Sequence, residues 1–197
     1  MLALSSMDEE SNLNKRDIEF LYEVGCLRFI PRMWRQFNPH FANLAEHMLR
    51  VIWIGIIIAK YEKADTGKVV KMALVHDLGE SRTGDAHLLA KIYTTRDEDK
   101  AVNDILEDTA LKGEFLELWR EYEERNSIES KVVKDADSLD VDFELQEQAI
   151  KGVSLRDQWR KDREQGAYSN FHTDTAKKMW KMIYSSGPND WLNNLRK

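Results

Sequence analysis

Apolar residues recur along the chain at the three- and four-residue spacing of helices, and no long stretch alternates between apolar and polar positions. A first amphipathic segment covers 16–29 and ends before Pro31. The run VIWIGIIIA at 51–59 is too short to span a bilayer, which takes about 20 residues. It predicts the buried part of a second helix, which begins after Asn43 as N-cap and runs to about Tyr61. The pattern therefore predicts an all-α fold.

The later segments continue this pattern. Asp65 or Thr66 caps a third helix that runs into LVHDLGESRTGD at 74–85, where two glycines break it. Further helices are predicted at 97–112 and 114–125, separated by Gly113, at 127–148 with Ser127 as cap, and at 173–184 and 190–195. The polar stretch KGVSLRDQWRKDREQGAYSN at 151–170 is typical of a mobile loop or an insertion.

Length, charge and cysteine content limit the function classes. A chain of 197 residues fits one domain, 1–197, at about 150 residues per domain. The net charge of -6 offers no basic field for nucleic acid or for a membrane surface, so we expect neither partner. The single cysteine, Cys26, excludes an intramolecular disulfide. The N-terminal MLALSSMDEESNLN lacks the features of a signal peptide, and we therefore expect a cytoplasmic protein.

Several residues that bind cations or move protons are predicted to face the interior. His47 shares a helical face with Leu44, Val51 and Ile54. His76 and Asp77 each follow apolar residues by three and seven positions, so both also point inward. Adjacent helical residues point about 100° apart, so the two can reach one ion only in a crevice between helices.

The segment KDADSLDVD offers a further inward carboxylate. Asp137 is in line with Val133 and Val141, whereas Asp135 and Asp142 are predicted on other faces. Two imidazoles and two carboxylates from three helices would suit one divalent metal ion, Mn, Co, Fe or Zn. Each residue taken singly is more often structural, as a hydrogen-bonded core histidine or a capping aspartate. Burying all four without a cation would cost several kcal/mol for each unmatched group, and this favours the metal site.

Three short blocks of the sequence resemble the HD-domain metal-dependent phosphohydrolases. They are AEHM at 45–48, HDLGE with TGD at 76–85 and KDADSLD at 134–140. HD-x-x-E followed by TGD, with Lys91 six residues after Asp85, is similar to the 5'-deoxynucleotidase branch. The resemblance covers about residues 17–150. It implies a helical bundle with a buried mononuclear metal site, closed by the C-terminal helices.

The resemblance also implies roles for individual residues. The implied metal ligands are His47, His76, Asp77 and Asp137. Glu80 matches the proposed catalytic acid or base, Asp85 lies near the attacking water, and the absence of further matching histidines implies a single metal ion. Substrate contacts are implied for Arg32 and Trp34 in PRMWR at 31–35, where arginine grips phosphate and tryptophan packs on the sugar, and for Lys91. For Trp34 a core or interface position is an alternative. Glu80 and Lys91 could be simply solvated, and Asp85 could be a turn residue after Gly84.

These observations predict an enzyme that removes the 5'-phosphate from deoxyribonucleoside 5'-monophosphates. Alternatives are an HD phosphohydrolase for another nucleotide or phosphate ester, and a non-catalytic metal-dependent nucleotide sensor. A homodimer is also expected, because the family is commonly dimeric and because large apolar residues recur in the tryptophan-rich tail and in one helix, at Leu116, Trp119 and Tyr122.

Overall fold

The computed structural model describes residues 13–32 and 41–193, and these contain helices without any strand. Only an isolated bridge joins Pro31 to Asn43. The predicted all-α fold is confirmed. The helices are α1 (Lys15–Gly25), α2 (Leu44–Glu62), α3 (Thr66–Val75), α4 (Glu80–Thr83), α5 (Leu88–Tyr93), α6 (Glu98–Leu106), α7 (Lys112–Glu124), α8 (Ile128–Ile150), α9 (Leu155–Arg163), α10 (Asp174–Ser185) and α11 (Asp190–Asn193).

The fold is organised around α2, which packs against both α8 and α3. Asn43 caps α2 as predicted: its side chain accepts from the amide of Glu46, and Glu46 accepts from the amide of Asn43, each at 3.0 Å. A methyl group at Gly55 would lie 3.0 Å from Val69 Cγ1, so this glycine permits the close approach of α2 and α3. The first turn of α2 is thereby fixed beside the end of α3.

The long helix α8 carries the other half of the core. Ser127 caps it as predicted, accepting from the amide of Ser130 at 3.1 Å. Its fully buried apolar residues are Val132, Val133, Ala136 and Leu139. Because α8 is 23 residues long and is buried on several sides, it places polar side chains towards the interior at several positions along its length. Four of these side chains are aspartates.

Two predictions about local structure are wrong. Gly113 lies inside α7, and the break that precedes this helix falls at 107–111. The stretch 151–170 is largely helical, formed by α9 and a π-helical turn at Glu164–Tyr168. It is fixed to α8 by Arg163, whose Nη2 lies 2.6 Å from Asp142 Oδ2, and by Leu155, which is buried against α8. This long-range contact orders a segment that is polar in sequence.

The apolar residues of α7 are part of the core. Leu116, Trp119 and Tyr122 are buried among residues of α3, α6 and α8. They cannot supply a dimer surface, so that ground for a homodimer is wrong. No helix of the described residues is long and apolar enough to cross a bilayer.

Candidate metal centre and active site

Four predicted ligands meet in one crevice between three segments of the chain. His47 comes from the first turns of α2, His76 and Asp77 follow the end of α3, and Asp137 lies on α8. One ligand atom from each of the four lies within 4.8 Å of all the others. Both imidazoles are almost fully buried, and the carboxylates are 17% and 15% exposed. The spacing of these residues along their helices therefore predicted a real spatial cluster.

Hydrogen bonds fix the orientation of both imidazole rings. Nδ1 of His47 donates to Asp140 Oδ2 at 2.6 Å, and Nδ1 of His76 donates to the carbonyl of Ala73 at 2.8 Å. Because the acceptors are a carboxylate and a carbonyl, Nδ1 carries the proton in each neutral ring and Nε2 keeps its lone pair. Both Nε2 atoms are buried, and neither has a hydrogen-bond partner in the part of the chain that the structure describes.

The two Nε2 atoms face the carboxylates at a spacing that suits a shared metal ion. His47 Nε2 lies 3.4 Å from Asp77 Oδ2 and 3.4 Å from Asp137 Oδ1. His76 Nε2 lies 3.3 Å from Asp77 Oδ2. Ligands about 2.0 to 2.2 Å from a first-row ion lie roughly 2.8 to 3.6 Å from their neighbours in octahedral or tetrahedral geometry. The residues therefore fit one divalent ion held by nitrogen and oxygen.

The opposite sides of the ligands are held by residues that the sequence analysis did not identify. Asp140 is 1% exposed and also lies 2.6 Å from Arg50 Nε. Lys134 Nζ donates to Asp137 Oδ2 at 2.8 Å, which leaves Oδ1 of that carboxylate facing the histidines. Such contacts set the tautomer and the direction of a ligand. Asp140 could have been found, because it lies three residues after Asp137 on the same side of α8.

The electrostatics of the cluster favour an added positive charge. Burial alone would lower the pKa of His47, but the neighbouring carboxylates of Asp137, Asp140 and Asp77 raise it well above its ordinary value. Burial alone would raise the pKa of Asp137, but the charge of Lys134 and contacts with the histidines hold it well below its usual range. Two carboxylates beside two imidazoles thus attract a cation, whether a proton or a metal ion.

Arg32 lies at the edge of this cluster. It follows α1 and a short 3₁₀ turn at Cys26–Phe29, and it is 9% exposed. Its Nη1 lies 3.2 Å from Asp85 Oδ2 and 3.7 Å from Asp77 Oδ2. A guanidinium group this close to the ligands can also reach an anion beside them.

Glu80 opens α4 one turn beyond the ligands, and it is buried rather than solvated. Burial, together with the charges of Asp77 and Asp85, raises its pKa to about 9. Arg96, which sequence reasoning missed, places Nη1 3.3 Å from Glu80 Oε1 and 2.5 Å from the carbonyl of Gly84. Gly84 has φ of 74°, a conformation that favours glycine, and this explains the glycine of TGD.

The remaining predicted residues are less closely tied to the cluster. Lys91 is exposed on α5, and its charge acts to lower the pKa of Glu98 on α6. Trp34 falls outside the described residues. His87 caps α5, and His172 donates its backbone amide to Asp135; neither belongs to the cluster.

Asp135 and Asp142 are buried, although the sequence analysis placed them away from the interior face. Asp135 accepts from the amides of His172 and Thr173 at 2.9 and 2.8 Å. Asp142 accepts from Arg163 and from the hydroxyl of Tyr184. Both therefore have structural partners away from the ligand atoms.

A helical bundle with an adjacent His-Asp pair, a further histidine and a further aspartate is the arrangement of HD-domain proteins. The chain belongs to this family: the family profile, described as HD domain, matches residues 24–180. It is 30% identical over 154 residues to the 5'-deoxynucleotidase HDDC2 of Homo sapiens, covering 75% of each chain. It is 35% identical over 138 residues to the 5'-deoxynucleotidase HDDC2 of Dictyostelium discoideum, covering 63% of this chain and 73% of the relative. The PH0347 protein of Pyrococcus horikoshii OT3 superposes with a TM-score of 0.67 at 29% identity, over 85% of this chain and 96% of that one.

Proposed function

We propose that this protein is a phosphoric monoester hydrolase that uses one divalent metal ion to remove the 5'-phosphate from deoxyribonucleoside 5'-monophosphates. Relatives named 5'-deoxynucleotidase, at 30% and 35% identity, support the reaction. The observation that carries the proposal is a pair of buried Nε2 atoms that face two carboxylates and have no hydrogen-bond partner among residues 13–32 and 41–193. Unpaired polar atoms at this depth are costly unless a ligand satisfies them.

The metal ion, Mn, Co, Fe or Zn, would be held by His47, His76, Asp77 and Asp137. When bound, such an ion lowers the pKa of a coordinated water and polarises a phosphoryl oxygen. Asp140 and Lys134 would orient two of these ligands from behind. Their distances of 2.6 and 2.8 Å from His47 Nδ1 and Asp137 Oδ2 support that role.

Glu80 and Asp85 are proposed for proton transfer. The raised pKa of Glu80 is in the direction that a proton donor to the leaving 5'-oxygen needs. Asp85 would orient the attacking water, and its distance of 3.2 Å from Arg32 supports a position beside the phosphate site. Arg96 would hold the Glu80 carboxyl group in a fixed position relative to the turn at Gly84.

Arg32 is proposed to bind the phosphate, with Lys91 as a second contact and Trp34 against the sugar. The guanidinium group of Arg32 lies between two carboxylates. An incoming phosphate would therefore replace Asp85 as the ion-pair partner of Arg32. A guanidinium group can bind two phosphate oxygens at once, which fixes the orientation of the phosphorus atom. Packing of Trp34 near C2' would disfavour a 2'-hydroxyl group and so select deoxyribonucleotides.

We place the enzyme in the cytoplasm as a homodimer, with residues 1–197 forming one domain and with neither nucleic acid nor a membrane as partner. The match of the family profile over 24–180 supports one domain, and the net charge of -6 argues against a polyanionic partner.

The test is phosphate release by protein stripped of metal and reloaded with Mn, Co, Fe or Zn. Substrates should include paired deoxy and ribo 5'-monophosphates, a 3'-monophosphate, a triphosphate and a simple phosphate ester. The deoxyribonucleoside 5'-monophosphates should turn over fastest. Preference for another phosphate would assign the site to that ester, and metal-dependent nucleotide binding without turnover on any substrate would identify a sensor.

A further inference from the structure

One side of α2 carries a continuous row of exposed apolar side chains, which we call the α2 face. Leu49, Trp53 and Ile57 follow one another at four-residue intervals and are 59%, 60% and 45% exposed. Residues four apart are neighbours on one side of a helix. Tyr61, 75% exposed, extends the row at the C-terminal end. The metal ligand His47 lies on the buried side of the same helix.

The exposed area of this face is comparable to the largest apolar patch of a typical soluble monomer. Taking about 150 to 250 Å² for an aromatic side chain and slightly less for leucine and isoleucine, the four residues expose on the order of 500 Å² of apolar surface. The largest apolar patch on a typical monomer is about 300 to 600 Å² and is often functional. A standard interface buries about 800 Å² on each partner, so these side chains alone would supply more than half of one.

Charged residues of opposite sign flank the apolar row at equal distances. Glu46 and Lys60 are both exposed, and each lies seven residues from Trp53, so all three point in nearly the same direction. The α2 face is therefore acidic at its N-terminal end, apolar in the middle and basic at its C-terminal end. Reversing the direction of this helix brings each charge opposite its complement.

We propose that the α2 face is the homodimer interface and that α2 packs antiparallel on the same helix of a second copy, about a two-fold axis through Trp53. A two-fold interface requires one patch to be complementary to itself, and this pattern meets that requirement. Leu49 would meet Ile57 of the partner subunit. Glu46 would pair with Lys60 of the partner subunit, and this pairing occurs twice in each dimer. The interface rests on the homodimer of the proposed function and is independent of its catalytic part, so a monomer with full activity would overturn only the interface.

The first experiment tests the apolar centre of the face. Sedimentation velocity over a dilution series should show a dimer for the wild type and a shift to monomer for Trp53→Glu, with a Kd raised at least a hundredfold. Tyr93→Glu is the matched control, because Tyr93 is an exposed aromatic residue on α5, at 80% exposure. It should leave the dimer intact. A monomeric wild type, a Trp53→Glu protein that dimerises as well as the wild type, or loss of the dimer only in Tyr93→Glu would overturn the proposal.

The second experiment tests the antiparallel register. Glu46→Lys makes both ends of the face positive and Lys60→Glu makes both ends negative, so each variant should dimerise with itself about tenfold more weakly or worse. An equimolar mixture should form heterodimers by native mass spectrometry, with both end pairs attractive. Glu46→Lys also removes a capping contact, so melting temperatures are measured alongside; the heterodimer would form only from folded chains. Unweakened single variants, or a mixture without heterodimers, would exclude this register.

Discussion

Replacing Asp140 by asparagine should weaken metal binding although this residue is not a ligand. The carboxylate accepts from His47 Nδ1 at 2.6 Å and lies 2.6 Å from Arg50 Nε. It thereby holds the imidazole as the tautomer whose Nε2 faces the other ligands. An amide of the same shape keeps the packing, but it removes the negative charge and offers a donor where only an acceptor is useful.

The expected size of the effect follows from the role of such partners. Removing an outer partner of a metal-bound histidine costs about 10- to 100-fold in affinity or activity, or roughly 1.4 to 2.7 kcal/mol. The assay is competitive metal titration of the stripped protein, with zinc and manganese, together with thermal unfolding in the presence of a chelator.

Asp142→Asn is the matched control for this prediction. Asp142 lies two residues further along α8, is equally buried, and is also held by an arginine at 2.6 Å, but its partners are Arg163 and Tyr184. It should lower the thermal stability in chelator and leave the metal Kd of the folded protein unchanged. A wild-type metal Kd in Asp140→Asn, or metal binding weakened just as strongly in Asp142→Asn, would refute this role of Asp140.

Three further predictions follow from the same contacts. His76→Ala should abolish stoichiometric metal binding, measured by elemental analysis of the purified protein, since the remaining three groups lose their arrangement; full occupancy would remove His76 from the ligand set. Glu80→Gln should keep the metal but lose about 10²-fold or more in turnover, and a near-normal rate would move proton transfer to Asp85. Arg163→Ala should destabilise the fold by about 3 kcal/mol in chemical denaturation, because it leaves the buried carboxylate of Asp142 without its cation; a change within error would show that this ion pair contributes little to stability.

The four-residue cluster could be predicted from sequence because helical periodicity fixes direction. His47 lies on the apolar face of a strongly patterned helix, and Asp77 follows the apolar face of α3, so each must point inward if the helices form. The caps predicted at Asn43 and Ser127 are confirmed, and of the two residues predicted to cap α3 the structure shows Asp65. Helical periodicity and capping patterns were therefore sufficient where the contacts that fix a residue lie within its own helix.

Features that depend on distant contacts could not be predicted in this way. The order of α9 depends on Arg163 reaching Asp142 on α8, and its own sequence is too polar to indicate a packed helix. The position of Arg96 on Glu80 depends on how the loop between α5 and α6 folds back. The wrong dimer surface on α7 has the same origin, since amphipathic spacing shows that a face is apolar and does not show which element covers it.

The four aspartates of α8 show why inward direction alone does not define a ligand. Asp135, Asp140 and Asp142 are at most 1% exposed, whereas Asp137 is 15% exposed. The three deeper carboxylates each have donors from backbone amides, histidine or arginine, as burial of a charge requires. Asp137 is different because its Oδ1 faces an imidazole nitrogen that has no hydrogen-bond partner within the described residues. A hydrolytic metal centre must remain open to its substrate. The carboxylate suited to bind the ion is therefore the one that keeps some exposure and faces the free lone pair of an imidazole nitrogen.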